Sequence, residues 1–151
     1  MPYSCRRAAA ADLPLLVRLL ADDDLGRARE TLSDPLPEAY STALKAIIES
    51  DFTQIIVVTD DGAVIGSLQL TLIPNLSYVG QLRAIFESVH VLPDYQGKGA
   101  GAFLVRHAVD EARRAGAGQI VLTSSNSRLD AHRFWKRMGF EHTHVGMKLF
   151  L

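Results

Sequence analysis

The 151-residue chain has a single cysteine, Cys5, so no internal disulfide is possible and a reducing compartment is expected. It also lacks an apolar run of the roughly 18 residues that a membrane-spanning helix needs. Its opening, Pro2-Tyr3-Ser4-Cys5-Arg6-Arg7, does not read as a signal peptide. There is no excess of one charge: 16 Lys and Arg face 17 Asp and Glu, for a net charge of −1. That balance leaves no electrostatic footprint for nucleic acid. Repeats and low-complexity tracts are missing too. These absences together predict a soluble cytoplasmic protein with neither a nucleic-acid nor a membrane partner. What remains, 48% apolar and 22% charged residues, is ordinary globular material. Residues 1–151 suit one domain with a core of its own, burying roughly two-thirds of the unfolded chain's surface.

One stretch organises the rest. Ile85, Phe86, Val89 and Val91 are strand formers, and Pro93 ends the run because it lacks the N–H a ladder needs. Gly97, Gly99 and Gly101 follow at every second position, and a helical pattern then begins. Glycines between a strand and a helix let a ligand approach the backbone, and the first helical N–H groups have no partner within the helix. Such a junction is an anion site suited to a phosphate. A P-loop is excluded, since Lys98 is followed by Gly99 and not by Ser or Thr. A dinucleotide fingerprint fits only loosely as Gly97-x-Gly99-x-x-Ala102. It lacks both the acidic residue roughly 20 positions on and the length for two βαβαβ halves.

The remaining periodicities place the elements around this junction. Tyr3 to Arg7 reads as a short edge strand. Asp12 can cap a helix whose apolar residues are Leu13, Leu16, Val17 and Leu20. A loop rich in charge and proline runs from Asp22 to Pro37, and Tyr40, Ala43, Leu44, Ile47 and Ile48 mark a second amphipathic helix. Strands follow at Gln54–Thr59, around Leu68, Leu70 and Leu72, and from Gln81 to Val91, with a hairpin turn at Asp60-Asp61-Gly62. The helix after the glycines buries Val105, Ala108, Ala112 and Ala115, and Gly116 and Gly118 end it. Gln119 to Thr123 is a strand that can lie parallel to the one ending at Val91. The last eleven residues allow one more strand, Val145 to Leu151, whose pairing would bring a second subunit and make a homodimer. The order is β-α-α-β-β-β-α-β-α-β, an α+β fold with a mixed sheet.

Gln96-Gly97-Lys98-Gly99-Ala100-Gly101 resembles the Gln/Arg-x-x-Gly-x-Gly/Ala signature of the GNAT superfamily of acetyl-CoA-dependent N-acetyltransferases. Ala131-His132-Arg133-Phe134-Trp135-Lys136-Arg137-Met138-Gly139-Phe140 resembles the family's Ala-x-x-Phe-Tyr-x-x-x-Gly-Phe segment. The resemblance runs from about Gln81 to Phe140. It implies a mostly antiparallel central sheet with helices on both faces, acetyl-CoA as cosubstrate and no metal. Gln96, Gly97, Lys98, Gly99, Ala100, Gly101 and Ala102 would hold the cofactor's pyrophosphate, chiefly through main-chain N–H groups. Main-chain groups of Val89, His90 and Val91 would hold the pantetheine and the acetyl carbonyl. Arg128, where members often carry asparagine, could reach the cofactor's phosphates. Trp135 replaces the family tyrosine that protonates the departing sulfur, and an indole N–H cannot serve as that acid. Tyr95, Ser124, Ser125 or water would have to substitute.

For the base, Glu87 shares a face with Ile85, Val89 and Val91 by strict alternation. A carboxylate in an apolar row implies a function or a partner such as Arg83. In the resembled family an acidic residue at this point accepts the ammonium proton through a water. His90 is the second candidate base; alternation puts it on the opposite face unless a bulge re-aims it. Asp22, Asp23 and Asp24 read as a solvated helix end or as a rim that selects an amine. His142 and His144 are too few for a metal site and are read as lining a pocket or the core edge. The expected activity is acetyl transfer to a primary amine of a small molecule. A protein N-terminus or lysine as acceptor, or a non-catalytic acyl-CoA-binding module, are the alternatives.

Overall fold

The computed structural model describes residues 2–151, in two compact units, one running to Val121 and one from Leu122 to Leu151. The first unit begins with β1 (Tyr3–Arg7), a 3-10 turn at Ala10–Asp12, and α1 (Leu13–Leu20). Leu16, Val17 and Leu19 are the buried stripe of α1. Asp12 stands at the expected place but does not cap α1. Its carboxylate takes two hydrogen bonds from the Arg6 guanidinium, at 2.7 and 2.9 Å, and one from the Ala9 N–H at 2.7 Å. A bidentate charged donor outweighs a single helix N–H, so Asp12 ties β1 to the turn before the helix.

The charged loop expected next contains a helix, α2 (Asp24–Arg29). Asp23 is its N-cap and accepts the Gly26 N–H at 2.6 Å, which gives that member of the acidic run a local structural task. Six residues are too few to show a helical period, which is why the sequence reads as loop there. α3 (Glu38–Ile48) follows as expected. β2 (Thr53–Asp60) and β3 (Ala63–Ile73) are joined by Asp61 and Gly62, whose φ values of 47° and 83° match the twist of a tight hairpin. A single turn, α4 (Ser77–Gly80), has Tyr78 and Val79 in the left-handed region, so β4 (Arg83–Val91) starts later than the expected Gln81. After a 3-10 turn at Pro93–Tyr95 come α5 (Ala100–Arg114) and the three-residue β5 (Gln119–Val121).

These strands form one sheet in the order β1-β2-β3-β4-β5, antiparallel throughout except for the parallel β4–β5 pair. Val57 and Val64 pack with Leu16 and Leu44, so α1 and α3 cover one face. On the other face α5 buries Ala100, Leu104, Val105, Ala108 and Ala112, and its Phe103 ring meets Tyr3 edge-on at 6.0 Å. Burying each large side chain in these layers contributes ~1.5–3 kcal/mol over leaving it in water. The fold is the mixed, mostly antiparallel sheet with helices on both faces that the sequence predicts.

The second unit holds α6 (Leu129–Arg137), ended by Gly139 at φ 95°. Residues 141–151 form no strand, contrary to the expectation for Val145 to Leu151. Their alternation supplies an apolar face, but a strand needs a ladder partner and the second unit contains none. The element through which a second subunit was expected to pair is therefore not formed. No helix among the described residues is long and apolar enough to cross a membrane.

The Arg6–Asp12 link can be tested. Arg6 holds the Asp12 carboxyl below its usual range, so its contribution is present above the unfolded value of roughly 4 and fades as pH falls through the lowered folded value. Because Arg6 is partly exposed, Asp12→Ala is expected to cost only about 1 kcal/mol at pH 7 in urea denaturation, and less at pH 3. Equal losses at both pH values would contradict the ion-pair reading.

Candidate active site

β4 is where the local geometry departs from regular alternation. Ser67 of β3 pairs with His90, and Gln69 pairs with Glu87. One residue of β3, Leu68, therefore faces two of β4, Ser88 and Val89, which makes a bulge. Ser88 takes φ 51°, a conformation that a non-glycine residue adopts only under constraint. The extra residue reverses the facing of everything after it. Because partners directly across a ladder share a face, Glu87 and His90 both lie on the face of Ser67 and Gln69, the one covered by α1 and α3.

This corrects the alternation reading in two ways. His90 is not opposite Glu87, and the row containing Glu87 continues as His90, not as Val89 and Val91. Glu87 is also exposed, not set among apolar neighbours. Arg83 does not form an ion pair with it: they sit four residues apart, roughly 13 Å along a strand, and Arg83 Nε is buried without a hydrogen-bond partner. Two residues of β3 on this face, Ser67 and Gln69, are not singled out by the sequence, where they alternate with the apolar Leu68 and Leu70. Ser67 is in fact only 4% exposed. The Gln69 amide donates to Thr53 Oγ1 at 3.3 Å, and that hydroxyl shares a hydrogen bond with Thr71 Oγ1 at 2.9 Å. What buries this face is the cover of α1 and α3, which the pattern of β3 alone does not announce.

β5 pairs with β4 only from Arg83 to Ile85. The parallel ladder thus ends at Ile85, before the bulge and before Val89 and Val91. Val89, His90 and Val91 are half-buried, as a ligand-lining edge would be.

The glycine junction lies at the end of the same strand. The Gln96 amide donates to the Val91 carbonyl at 3.1 Å and fixes the loop to β4. Among the described residues, the N–H groups of Gly97, Gly99, Ala100, Gly101 and Ala102 have no acceptor. Gly99 is the N-cap of α5 at φ 87°, and a Cβ placed on Gly97 or Gly99 would point into open space. Lys98 is exposed and forms no ion pair among the described residues. Unpaired donors, a 15-residue helix aimed at them and space free of side chains fit a bound pyrophosphate, which is the part of acetyl-CoA assigned to this loop. A separate open depression of about 410 Å³ lies at the other end of α5, ringed by Arg7, Asp51, Glu111 and Arg114, and is remote from this junction.

Arg128 and Trp135 belong to the second unit. Arg128 is the exposed N-cap of α6, with its N–H bonded to the Ser125 carbonyl at 3.0 Å. Trp135 sits edge-on to Phe134 and Phe140, with centroids 5.0 and 5.1 Å away. Such an aromatic cluster accounts for the indole as a packing residue. His132 Nε2 lies 2.8 Å from the Ser125 carbonyl. No group of three His, Cys, Asp or Glu side chains among the described residues converges as a metal set.

An aminoalkylphosphonate N-acetyltransferase of Salmonella typhimurium is 37% identical over 84 residues, 56% of this chain and 54% of that protein. The match thus spans only about half the length of that relative. A crystal structure from Bacillus halodurans C-125, described as a transcriptional regulator, has TM-score 0.96 at 38% identity over 99% of both chains. An aminoglycoside N-acetyltransferase solved in complex with CoA shares the fold, with TM-score 0.80 at 16% identity over 99% of this chain and 94% of its own. The model of the acetyltransferase (GNAT) family matches residues 20–140, which is most of the chain, and this protein belongs to that family.

Proposed function

We propose that this protein is an N-acetyltransferase that moves an acetyl group from acetyl-CoA to the primary amine of a small molecule, with both bound at once. The observation that carries this reading is the β4 bulge, which turns Glu87 and His90 to one face of the sheet, in the strand that leads to a glycine loop whose N–H groups lack acceptors among the described residues. The name of the Salmonella typhimurium relative, an enzyme of small phosphonate amines, supports a small-molecule acceptor over a protein one.

Acetyl-CoA supplies the activated thioester carbonyl. The chain holds its phosphates with the N–H groups of Gly97, Gly99, Ala100, Gly101 and Ala102, a main-chain cradle that needs no cationic side chain. Main-chain groups of β4 from Val89 to Val91 orient the acetyl carbonyl, and a fixed N–H there stabilises negative charge as it develops on oxygen. Glu87, directly or through a water, takes the proton that the ammonium must lose before its nitrogen can attack. Gln69 and Ser67 orient the acceptor across the same face. His90 is the second candidate for the proton. By family pattern Arg128 reaches the cofactor's phosphates and Trp135 stands beside its thioester end. The sulfur would leave readily as a thiolate, its thiol having a pKa of roughly 8.5 by analogy with cysteine, and with tryptophan at position 135 the proton it then takes would come from water.

A second reading, an acyl-CoA-binding module without turnover, is favoured by Trp135 alone. Time-dependent CoA release with a panel of small amines, aminoalkylphosphonates included, separates the two. Saturable acetyl-CoA binding with no release from any amine would favour the module.

Two variants probe the assigned roles. Glu87→Gln is expected to lower kcat by about a hundredfold or more while leaving acetyl-CoA affinity unchanged. Full turnover would pass the base to His90. Gly99→Val forces a β-branched residue to φ 87° and puts methyl groups where the phosphates bind. Calorimetry should show its acetyl-CoA Kd raised more than tenfold, against less than threefold for Lys98→Ala, on the order expected when main chain does the binding.

A further inference from the structure

The anion loop carries little structure of its own. Its internal backbone bonds are two turn contacts, Tyr95 N–H to the Leu92 carbonyl at 2.9 Å and Gln96 N–H to Pro93 at 3.2 Å, and a long one from Lys98 N–H to Tyr95 at 3.4 Å. Gly97 and Gly99 add backbone freedom. A loop this loosely held would lose much of its phosphate affinity to the entropy of ordering on binding. Something outside it must keep the donors aimed.

That support comes from the first strand and the end of the second. Tyr3 and Asp60 are cross-strand partners in the β1–β2 ladder, side by side on the face that α5 covers. The Tyr3 hydroxyl donates to the Lys98 carbonyl in the middle of the loop at 3.3 Å. The Tyr3 ring packs edge-on against Phe103, in the first turn of the helix beyond the loop. The Asp60 carboxylate lies close enough to the Tyr95 hydroxyl, at the loop's entrance, to raise its pKa. The segment is thus held within and after its glycines by Tyr3, and met at its entrance by the Asp60 that adjoins Tyr3 on the sheet. Loss of water contact and the adjacent Asp60 carboxylate also push the Tyr95 phenol above its usual pKa, so the hydroxyl keeps its proton throughout the neutral range.

We infer that Tyr3 and Asp60, with Tyr95, are positioning residues that pre-organise the Gly97–Gly101 loop for the cofactor's phosphates. The inference rests on the proposed use of that loop for acetyl-CoA. None of the three touches the reacting atoms; they act through the main chain of the loop. β1, an edge strand, thereby acquires a part in cofactor affinity.

Two measurements test this, one with ligand and one without. Acetyl-CoA binding by calorimetry is expected to weaken about threefold to tenfold in Tyr3→Phe, in Tyr95→Phe and in Asp60→Ala, the range of one net hydrogen bond. Asp60→Asn keeps an acceptor oxygen for Tyr95 and should bind nearly as the parent does. Asp60→Ala combined with Tyr95→Phe should be no weaker than either alone if the two groups act on one another. Amide hydrogen exchange in the ligand-free protein should quicken at residues 97–101 in Tyr3→Phe and Tyr95→Phe, with the melting temperature within about 2 °C of the parent. Quicker exchange throughout the sheet, or binding in Asp60→Asn as weak as in Asp60→Ala, would mean a general structural role and overturn the clamp. Parent-like exchange and binding in the variants would overturn it while leaving the acetyl-CoA reading intact. Failure of the parent to bind acetyl-CoA would remove that reading, and quickened exchange confined to residues 97–101 would then still uphold the clamp as a property of the loop.

Discussion

One inserted residue in β4 decides which way the side chains of its second half face. Strand geometry has a period of two, so a shift of one position moves a side chain through the sheet to the opposite layer. The bulge over Ser88 and Val89 makes that shift once, between Glu87 and His90. Without it the two titratable side chains would lie on opposite faces, one under α5 and the other under α1 and α3. The cost is local: Ser88 is held at φ 51°, a strain of about 1–2 kcal/mol for a residue with a Cβ. The surrounding ladder, anchored by Phe86 opposite Leu70 and by Val91 opposite Gly66, is tight enough to impose it. Gly66 allows that anchoring, since a Cβ there would stand 2.7 Å from the His90 carbonyl oxygen.

Much of this architecture was legible from the amino acids, for identifiable reasons. α1 and α3 show helical periods long enough to register, and the Asp61-Gly62 turn has the residues that positive φ favours. The glycine junction could be read as a turn between strand and helix because glycine is where the sequence records backbone freedom. What could not be read is cooperative. Asp12 has the residue type of a cap and was taken by Arg6, a competition settled only when β1 and α1 come together. The six residues of α2 hold one cap and no period. Ser67, Gln69 and the facing of His90 depend on register between strands, and nothing in β4 alone encodes register. Val145 to Leu151 carries a strand's alternation without a neighbour to bond with, which shows that alternation records a face and not a ladder.

β5 contributes by its shortness. With three residues it supports the parallel edge only as far as Ile85. Beyond Ile85 the parallel ladder ends, and β4 enters its bulge without β5 beside it. Among the described residues, five N–H groups at the start of α5 go without acceptors.

The placement of the two ligands' contacts on opposite layers has a consequence for how the protein can change. Contacts proposed for the acceptor, Glu87, His90, Ser67 and Gln69, face α1 and α3, whereas the anion loop belongs to α5 and the far layer. The sheet stands between them as a partition. On the proposed assignments, substitutions that reshape the α1–α3 layer alter which amine is accepted and leave the phosphate cradle untouched, so acceptor choice and donor binding can change one at a time.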